Sequence, residues 1–514
     1  MKPPIAPRRP TRRTLHGVTV SDDYAWLKDE KWQQVLRDPS LLDPDIRAYL
    51  EAENAYAEEL LAPTQALQKT LVAEMRGRIK EADSGVPTPD GPFTYLWKYR
   101  EGGQHQLIGR KPRTGVGLQT ILDGDELARH SDYFKFGGTR HSPDHRLEAW
   151  SADLRGSEYF TIRIRRWDTG EDLPDILTQT GGSVVWGLDS TFFFYVQVDD
   201  NHRPLKVYRH RLGTPQADDV LVYEEKDTGW FTRIEESASR RFCIVGGGDH
   251  DTSEQSLIDL SDPDATPRLI APREKGVRYS VADRGDELFI LTNSGGAIDF
   301  RVMTAPLAAP GRTYWRELIA HRPGTYILGI ELFAGHLVRL ERTNALPSIV
   351  IRDLGDGSEH VIAFDETAYS LDMAGGYEFD TTTMRFTYSS MTTPAEVYDY
   401  DMVSRPHLAE TPGDSLRPRP CRLCHDTDHG DLARRRRGAG LDPLSPRAQA
   451  RRIGTALALR LRLLWHGDAG LVQRQPPVAG RSRLRLRHRP YPRRRRQGLG
   501  LVSRRQAREE DEQL

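Results

Sequence analysis

The stretch "SASRRFCIVGGGDHDTSEQSLIDLSDP", Ser237 to Pro263, carries the pattern on which the fold is read. It opens with a small polar turn, Ser237–Arg241. An apolar run follows, "RFCIVGG", ending in glycine. A short polar gap leads to a second run, "QSLIDLSDP", which stops at an aspartate. Apolar runs of this length, bounded by Gly, Asp, Ser and Pro, read as strands joined by tight turns.

The same order recurs on both sides. Turns "SPDHR", "GLDST", "DRGDE", "FAGH" and "FDTTT" each precede a strand-like run: "EAWSADL", "TFFFYVQV", "ELFILTN", "HLVRLER" and "MRFTYSS". Second strands follow in "YFTIRIRRWDTGE", "KVYRHRLGT", "FRVMTAPLA", "SIVIRDLGDG" and "AEVYDYDM". The turns fall near residues 142, 189, 238, 284, 334 and 380, a period of roughly 46–50. One four-stranded sheet with its turns takes about 40–50 residues, so this period signals a ring or array of small sheets. Six units are visible, and "GPFTYLWKYREGGQHQLIGRKP", Gly91–Pro112, opens a further one. The expected fold class is mainly β: a seven-bladed β-propeller over residues 85–404 with an N-terminal helical arm over 1–84.

The arm carries two helical patterns. "DPDIRAYLEAENAYAEELL" starts at the Asp43-Pro44 helix signal. "TQALQKTLVAEMRGRIKEAD" spaces Leu67, Leu71, Met75 and Ile79 four apart, an apolar stripe expected to pack into a core. Residues 405–514 fit neither texture. From residue 415 onward there are 25 Arg, no Lys and 9 acids, a net charge of +16, against −17 for residues 1–414. Such a stretch, punctuated by Pro, Gly and Arg, cannot bury enough apolar surface to offset ordering entropy, so it is expected to be disordered. The three cysteines, Cys243, Cys421 and Cys424, are too few for a disulfide scaffold and fit a reducing cytoplasm. No signal-peptide pattern opens the chain and no run of 18 apolar residues occurs, so no membrane partner is expected.

"HGVTVSDDYAWLKD", "YLEAENAY", "LVAEMRGRIKEADSGVP" and "MTTPAEVYDYDM" together resemble the prolyl oligopeptidase family, in particular its oligopeptidase B branch, over residues 10–404. The resemblance implies a serine peptidase that cleaves short peptides after Lys or Arg. It implies a propeller inserted before a C-terminal α/β-hydrolase domain, with the N-terminal helices packed on that domain. That domain needs a G-x-S-x-G nucleophile elbow followed by Asp and His. No G-x-S-x-G occurs in this sequence, and "GDSL" at Gly413–Leu416 sits in Pro/Arg-rich sequence rather than after a buried strand. Catalytic, cofactor-binding and metal residues are therefore expected to be none. The chain as written is expected to be a truncated, inactive member of a lineage whose intact partners are short basic peptides. A free-standing propeller scaffold is the alternative, as is nucleic-acid adhesion through the basic tail.

Codon degeneracy gives the tail its own explanation. Read one base later, Leu459–Trp465 is compatible with Y-G-Y-G-S-Y-G, and Pro490–Gln513 with H-I-R-G-G-A-D-K-G-W-G-W-Y-L-D-G-K-R-E-K-K-T-N-S. "AGLDPLS", Ala439–Ser445, lies in a stretch compatible with P-V-S-I-L-Y-R. These resemble consecutive oligopeptidase B segments, and one offset serves from near Pro406 to Leu514, which points to a frameshift near Arg405. It also dissolves the most conspicuous ligand cluster, Cys421, Cys424, His425, Asp426 and His429, whose spacing mimics haem attachment. A zinc site would want a second, regularly spaced ligand pair. The arginine runs at 434–437 and 493–496 come without a nucleic-acid-binding module and with little aromatic interleaving, so no specific nucleic acid is expected. His141, Asp144, Asp249, His250 and Asp251 lie in the repeat turns and are expected to be solvated turn residues.

Overall fold

Glycines and short polar residues bend the chain back every six to eight residues, and what lies between is apolar enough to be buried on both faces. The structure, a computed structural model, describes residues 2–405. The expectations for the basic tail beyond Arg405, including Gly413–Leu416, Cys421, Cys424, His425, Asp426 and His429, lie outside the described residues.

An N-terminal hairpin pairs Thr11–Leu15 with Val18–Asp22. It turns at His16-Gly17, both at positive φ as a two-residue hairpin turn requires. Helix α1 spans Trp32–Arg37, α2 spans Pro44–Leu61 and α3 spans Gln65–Arg76. Asp43 caps α2 by accepting from the backbone N–H of Asp45 at 2.8 Å and from that of Ile46 at 3.3 Å. Pro44 occupies the first helical position, where its missing N–H costs nothing. The apolar stripe is not buried, contrary to the expectation: Leu67 and Leu71 of α3 and Ile79 just beyond its end are exposed, as are Leu50, Leu60 and Leu61 of α2. The arm meets the sheets through α1 instead. Gln33 donates to Asn201 (2.7 Å), and Arg37 pairs with Asp200 and lies 4.9 Å over the ring of Tyr159.

The rest of the chain forms antiparallel up-and-down sheets whose strand order follows the sequence. The first sheet holds Thr88–Asp90, Phe93–Lys98, Leu107–Pro112 and Gln119–Asp123. Three more four-stranded sheets run over Phe231–Leu269, Tyr279–Ile319 and Thr325–Val361. The last, Tyr369–Asp401, has three strands among the described residues. Five blades thus stand as separate sheets, rather than the seven expected. The remaining sheet is a single seven-stranded one, from Lys135–His141 to Val220–Glu224.

The reason is one long strand, Asp172–Trp186. Its first part pairs with Phe160–Arg166 and its second with Phe192–Val198, and the register shifts on either side of Thr180. Gly181-Gly182 absorbs the shift as a bulge. Gly182 has φ +86°, and a Cβ there would stand 2.8 Å from Ser151 Oγ and 3.2 Å from the Phe160 ring. Only glycine fits such a position.

Central strands such as Phe192–Val198 are almost wholly buried because the sheets stack face to face and cover both sides. Most of the apolar clusters join one sheet to the next. Phe242, Ile244 and Leu257 pack with Tyr279, Val281 and Leu288. Val338, Ile349 and Ile351 pack with Leu371, Met384 and Phe386. The first and last sheets meet through side chains. Arg113 forms a two-pronged pair with Glu378 (2.7 and 2.8 Å). Arg385, held by Asp399 (2.6 and 2.8 Å), donates to the carbonyl oxygens of Val86 and Pro87 (3.4 and 3.1 Å) and to Thr88 Oγ1 (3.3 Å). No strand is shared there among the described residues.

Candidate functional site

The first strand of each unit ends in the turn that the repeat predicts. Those ends converge: Asp90 closes the first inner strand, His141 closes Lys135–His141, and Glu236 closes Phe231–Glu236, with Arg240 in the turn just after. Tyr377 arrives from the last sheet's first turn. These residues gather around one mouth of the space between the inner strands, where a cavity of ≈ 360 Å³ is lined by Gly138, Thr139, Arg140, Gly182, Ser183, Glu235, Glu236, Arg240 and Tyr377, among others.

Asp90 is the hinge of this cluster. Its Oδ2 accepts from His141 Nε2 and from Arg240 Nη2, each at 2.5 Å, and both Asp90 and His141 are buried. Burial alone would raise the Asp90 pKa, but the bonds from His141 and Arg240 outweigh it and hold the carboxyl well below the usual range. Burial pushes His141 down to about 4 against the pull of Asp90, so at neutral pH it is an uncharged imidazole donating to a carboxylate. Tyr95 stacks on the His141 ring, with 3.7 Å between centroids and 5° between planes. Tyr377 meets the same ring edge-on at 4.8 Å, the arrangement that aromatic quadrupoles favour. Tyr95 Oη and His145 Nδ1 share a hydrogen bond of 2.8 Å. Arg140 pairs with Glu236 and lies 4.8 Å over Tyr377, while Arg240 lies 5.9 Å over the same ring. Both cations thus face the ring's negative π surface. Behind this layer Glu148 is fully buried. Burial raises its pKa to about 8, only partly offset by the bond from Trp167 Nε1 (3.2 Å) and by Arg140 and Arg110.

Asp90, His141 and His145 bring three metal-binding atoms within 4.8 Å of one another. Such a set is reminiscent of two-histidine, one-carboxylate iron sites. The chemistry of the set is against a cation. Asp90 Oδ2 already carries a guanidinium and an imidazole N–H, and a metal at that oxygen would have to displace both. The arrangement works as a polar clasp joining the first, second and last sheets to the Phe231–Leu269 sheet.

Of the turn residues singled out from sequence, His141 is therefore a correction: it is a buried strand end, not a solvated turn. Asp144 is exposed and accepts from Ser142 Oγ (2.6 Å) and the Arg146 N–H (3.1 Å). Asp249, His250 and Asp251 are exposed. Asp249 accepts from the N–H groups of Asp251 and Thr252 (2.9 and 2.7 Å). These are local turn bonds of the usual kind. Nothing brings these four to the cavity. Asp90, Arg140, Glu235, Glu236, Arg240 and Tyr377 were missed. The available signal was positional: the residue just before each recurring turn is the one that reaches the mouth.

Residues 3–407 match the family described as Prolyl oligopeptidase, N-terminal beta-propeller domain. The chain belongs to the prolyl oligopeptidase family. It is 34% identical over 415 residues to Dipeptidyl aminopeptidase BI of Pseudoxanthomonas mexicana, covering 77% of this chain and 56% of that protein. It is 30% identical over 410 residues to Protease 2 of Moraxella lacunata, covering 78% and 57%. Among solved structures, oligopeptidase B from Leishmania major aligns with TM-score 0.74 at 26% identity, over 80% of this chain and 60% of that one. Oligopeptidase B from Trypanosoma brucei with covalently bound antipain aligns with TM-score 0.73 at 28% identity, with the same coverage. The chain thus spans somewhat over half the length of the curated relatives it matches. What is established is a β-propeller of a peptidase family with a helical N-terminal arm. No helix among the described residues is long and apolar enough to cross a membrane.

Proposed function

We propose that this chain carries the peptide-admitting propeller of an oligopeptidase B-like serine peptidase that cleaves short peptides after Lys or Arg in the cytoplasm. The observation that supports it most is the match over residues 3–407, together with the likeness to two oligopeptidase B structures. In this reading residues 1–84 are the arm, 85–404 the propeller and 405–514 an out-of-frame segment. The exposed leucines of α2 and α3 are where a hydrolase domain packs, because an apolar stripe of that extent is a surface built to be covered.

The propeller is counted as seven blades. The seven-stranded sheet divides at Gly181-Gly182 into two that share the strand Asp172–Trp186. Ala149, Ile162, Ile164 and Leu177 of its first half pack on Trp186, Phe193 and Tyr195 of its second, the same kind of cluster that joins separate sheets elsewhere. The second half of the shared strand also lines the cavity beside Lys135–His141 and Phe231–Glu236, as an inner strand does.

Hydrolysis in this lineage is Ser attack on the peptide carbonyl with His as base and Asp orienting it. No residue of this sequence is assigned to those roles, and the chain as written is proposed to be inactive. Incubating the purified chain with an Arg-containing chromogenic peptide and a serine-reactive probe tests this. Neither turnover nor labelling above background is expected, and clear labelling would overturn the proposal.

A further inference from the structure

We propose that Asp175, His210 and Asp219 form a proton-dependent clamp that fastens the outer edge of the seven-stranded sheet to its first half and releases that edge at alkaline pH. The three groups come from different places. Asp175 lies in the first part of the shared strand Asp172–Trp186. His210 lies in Pro204–Arg211, in the second half. Asp219 immediately precedes the edge strand Val220–Glu224. His210 Nε2 is 3.0 Å from Asp175 Oδ1, His210 Nδ1 is 2.7 Å from Asp219 Oδ1, and all three side chains are 1% exposed.

An ionised carboxylate can only accept a hydrogen bond, and a neutral imidazole has one N–H to give. Two such contacts on one ring therefore require two protons. The other bonds at the carboxylates keep those protons on the ring. Asp175 Oδ1 also accepts from the Gly213 N–H (2.6 Å), and Asp219 Oδ2 from Tyr195 Oη (2.8 Å), and both bonds favour the ionised carboxyl. Burial alone would lower the His210 pKa, but the bonds to Asp219 and Asp175 outweigh it and raise it. The shared strand thus faces the ring with Asp175, the loop after Arg211 with Asp219, and Phe192–Val198 with the Phe193 ring at 5.1 Å and with Tyr195 behind Asp219. No second cation pairs with either carboxylate among the described residues.

Losing one ring proton sets an imidazole lone pair against a carboxylate inside the fold, where an uncompensated charge is costly. Asp175 Oδ2 is already buried without a partner. Asp219 stands on a loop whose strand, Val220–Glu224, pairs on one side only and is largely exposed. Release therefore falls on Gly213–Glu224 and leaves the bend at Gly181-Gly182 in place. Because the folded pKa is raised above the ordinary value near 6.5, this stabilisation is complete below about 6.5 and is lost as pH rises through the folded value.

The test is amide hydrogen exchange of the full chain at about pH 6 and about pH 9, read by mass spectrometry and corrected for the intrinsic rate at each pH. In the wild type, protection of Gly213–Glu224 should fall about tenfold or more at the higher pH, the loss of one charge-assisted hydrogen bond, while Phe192–Val198 holds. His210→Gln should be loose at both pH values, because its amide oxygen faces one of the carboxylates. Asp219→Asn should stay protected at both: its Oδ1 can accept from Tyr195 while its Nδ2 donates to the neutral imidazole. Glu148 loses its proton over the same range but acts on the wild type and Asp219→Asn alike, so the difference between them belongs to the clamp. Equal corrected exchange of Gly213–Glu224 at both pH values in the wild type would overturn the clamp. So would a loss shared equally with Phe192–Val198, or an Asp219→Asn variant that loosens at the higher pH as the wild type does.

Discussion

The ring is joined in two ways. Inside the seven-stranded sheet the backbone runs through Asp172–Trp186 from one half to the other, and the junction is a continuous ladder bent at Gly181-Gly182. Between the first and last sheets the junction is side chains alone: Arg385 on Val86, Pro87 and Thr88, Arg113 on Glu378, and Tyr377 against Tyr95. The first depends on backbone geometry and fails only if the strand cannot bend. The second is a sum of hydrogen bonds and ion pairs, each worth about 1–2 kcal/mol at most. Stability in this ring is therefore uneven, and the first–last seam is the place where it opens most easily.

The largest expected effect comes from breaking the continuous junction. Gly182→Val puts a β-branched side chain at positive φ against Ser151 and Phe160. It should cost about 3 kcal/mol or more in denaturant unfolding. A loss under about 1 kcal/mol would mean that the bulge is not the constraint described here.

Acidification comes next and strikes the clasp at the seam. The unfolded chain takes up the His141 proton near 6.5, whereas the folded chain refuses it until about 4. Between those values the unfolded state holds more protons, so stability contributed by neutral His141 is complete above about 6.5 and lost as pH falls toward 4. Asp90, whose pKa is lowered, loses its contribution at still lower pH, in the same direction. Glu148 acts oppositely: protonated in the fold up to about 8, it makes stability decline as pH rises from about 4.5. The His141 part should amount to about 3 kcal/mol. His141→Gln should flatten the pH 4–6.5 limb of the melting curve, and an unchanged limb would assign the acid sensitivity to other groups.

At the seam itself, Arg385→Ala removes donors to two carbonyl oxygens and leaves Asp399 without its partner. About 1–2 kcal/mol is expected, with faster amide exchange in 84–98 and 369–390 than in 172–198. Equal exchange in the two regions would erase the distinction between the junctions. Smallest of all is Glu378→Gln, which weakens a half-exposed pair. It should change stability by no more than about 1 kcal/mol, the ceiling for exposed ion pairs.

Much of the propeller was legible because its signals are local. Turns such as Ser237–Arg241 and Asp283–Glu287 need Gly, Ser or Asp within five residues, and the runs after them are apolar in themselves. The long strand was not legible. "DLPDILTQTGGSVVW" contains Pro174 and a Gly-Gly pair, which read as breaks and act as a bend within one strand. His141 was misread for a different reason. What buries it are Asp90, Tyr95 and Tyr377, residues brought near only when the first and last sheets meet. The helical period of α3 was legible, but not what covers it, since an apolar stripe carries no address for its partner.

The central proposal is that an oligopeptidase B-like peptidase lineage is written here in two frames. Its most direct test compares the chain as written with the product of the same gene read one base later from codon 406 and continued downstream. Both are assayed on an Arg-containing chromogenic peptide alongside a serine-reactive probe. The account predicts labelling and cleavage after Arg for the restored frame and neither for the chain as written. Cleavage by the chain as written, or an inert restored product, would contradict it.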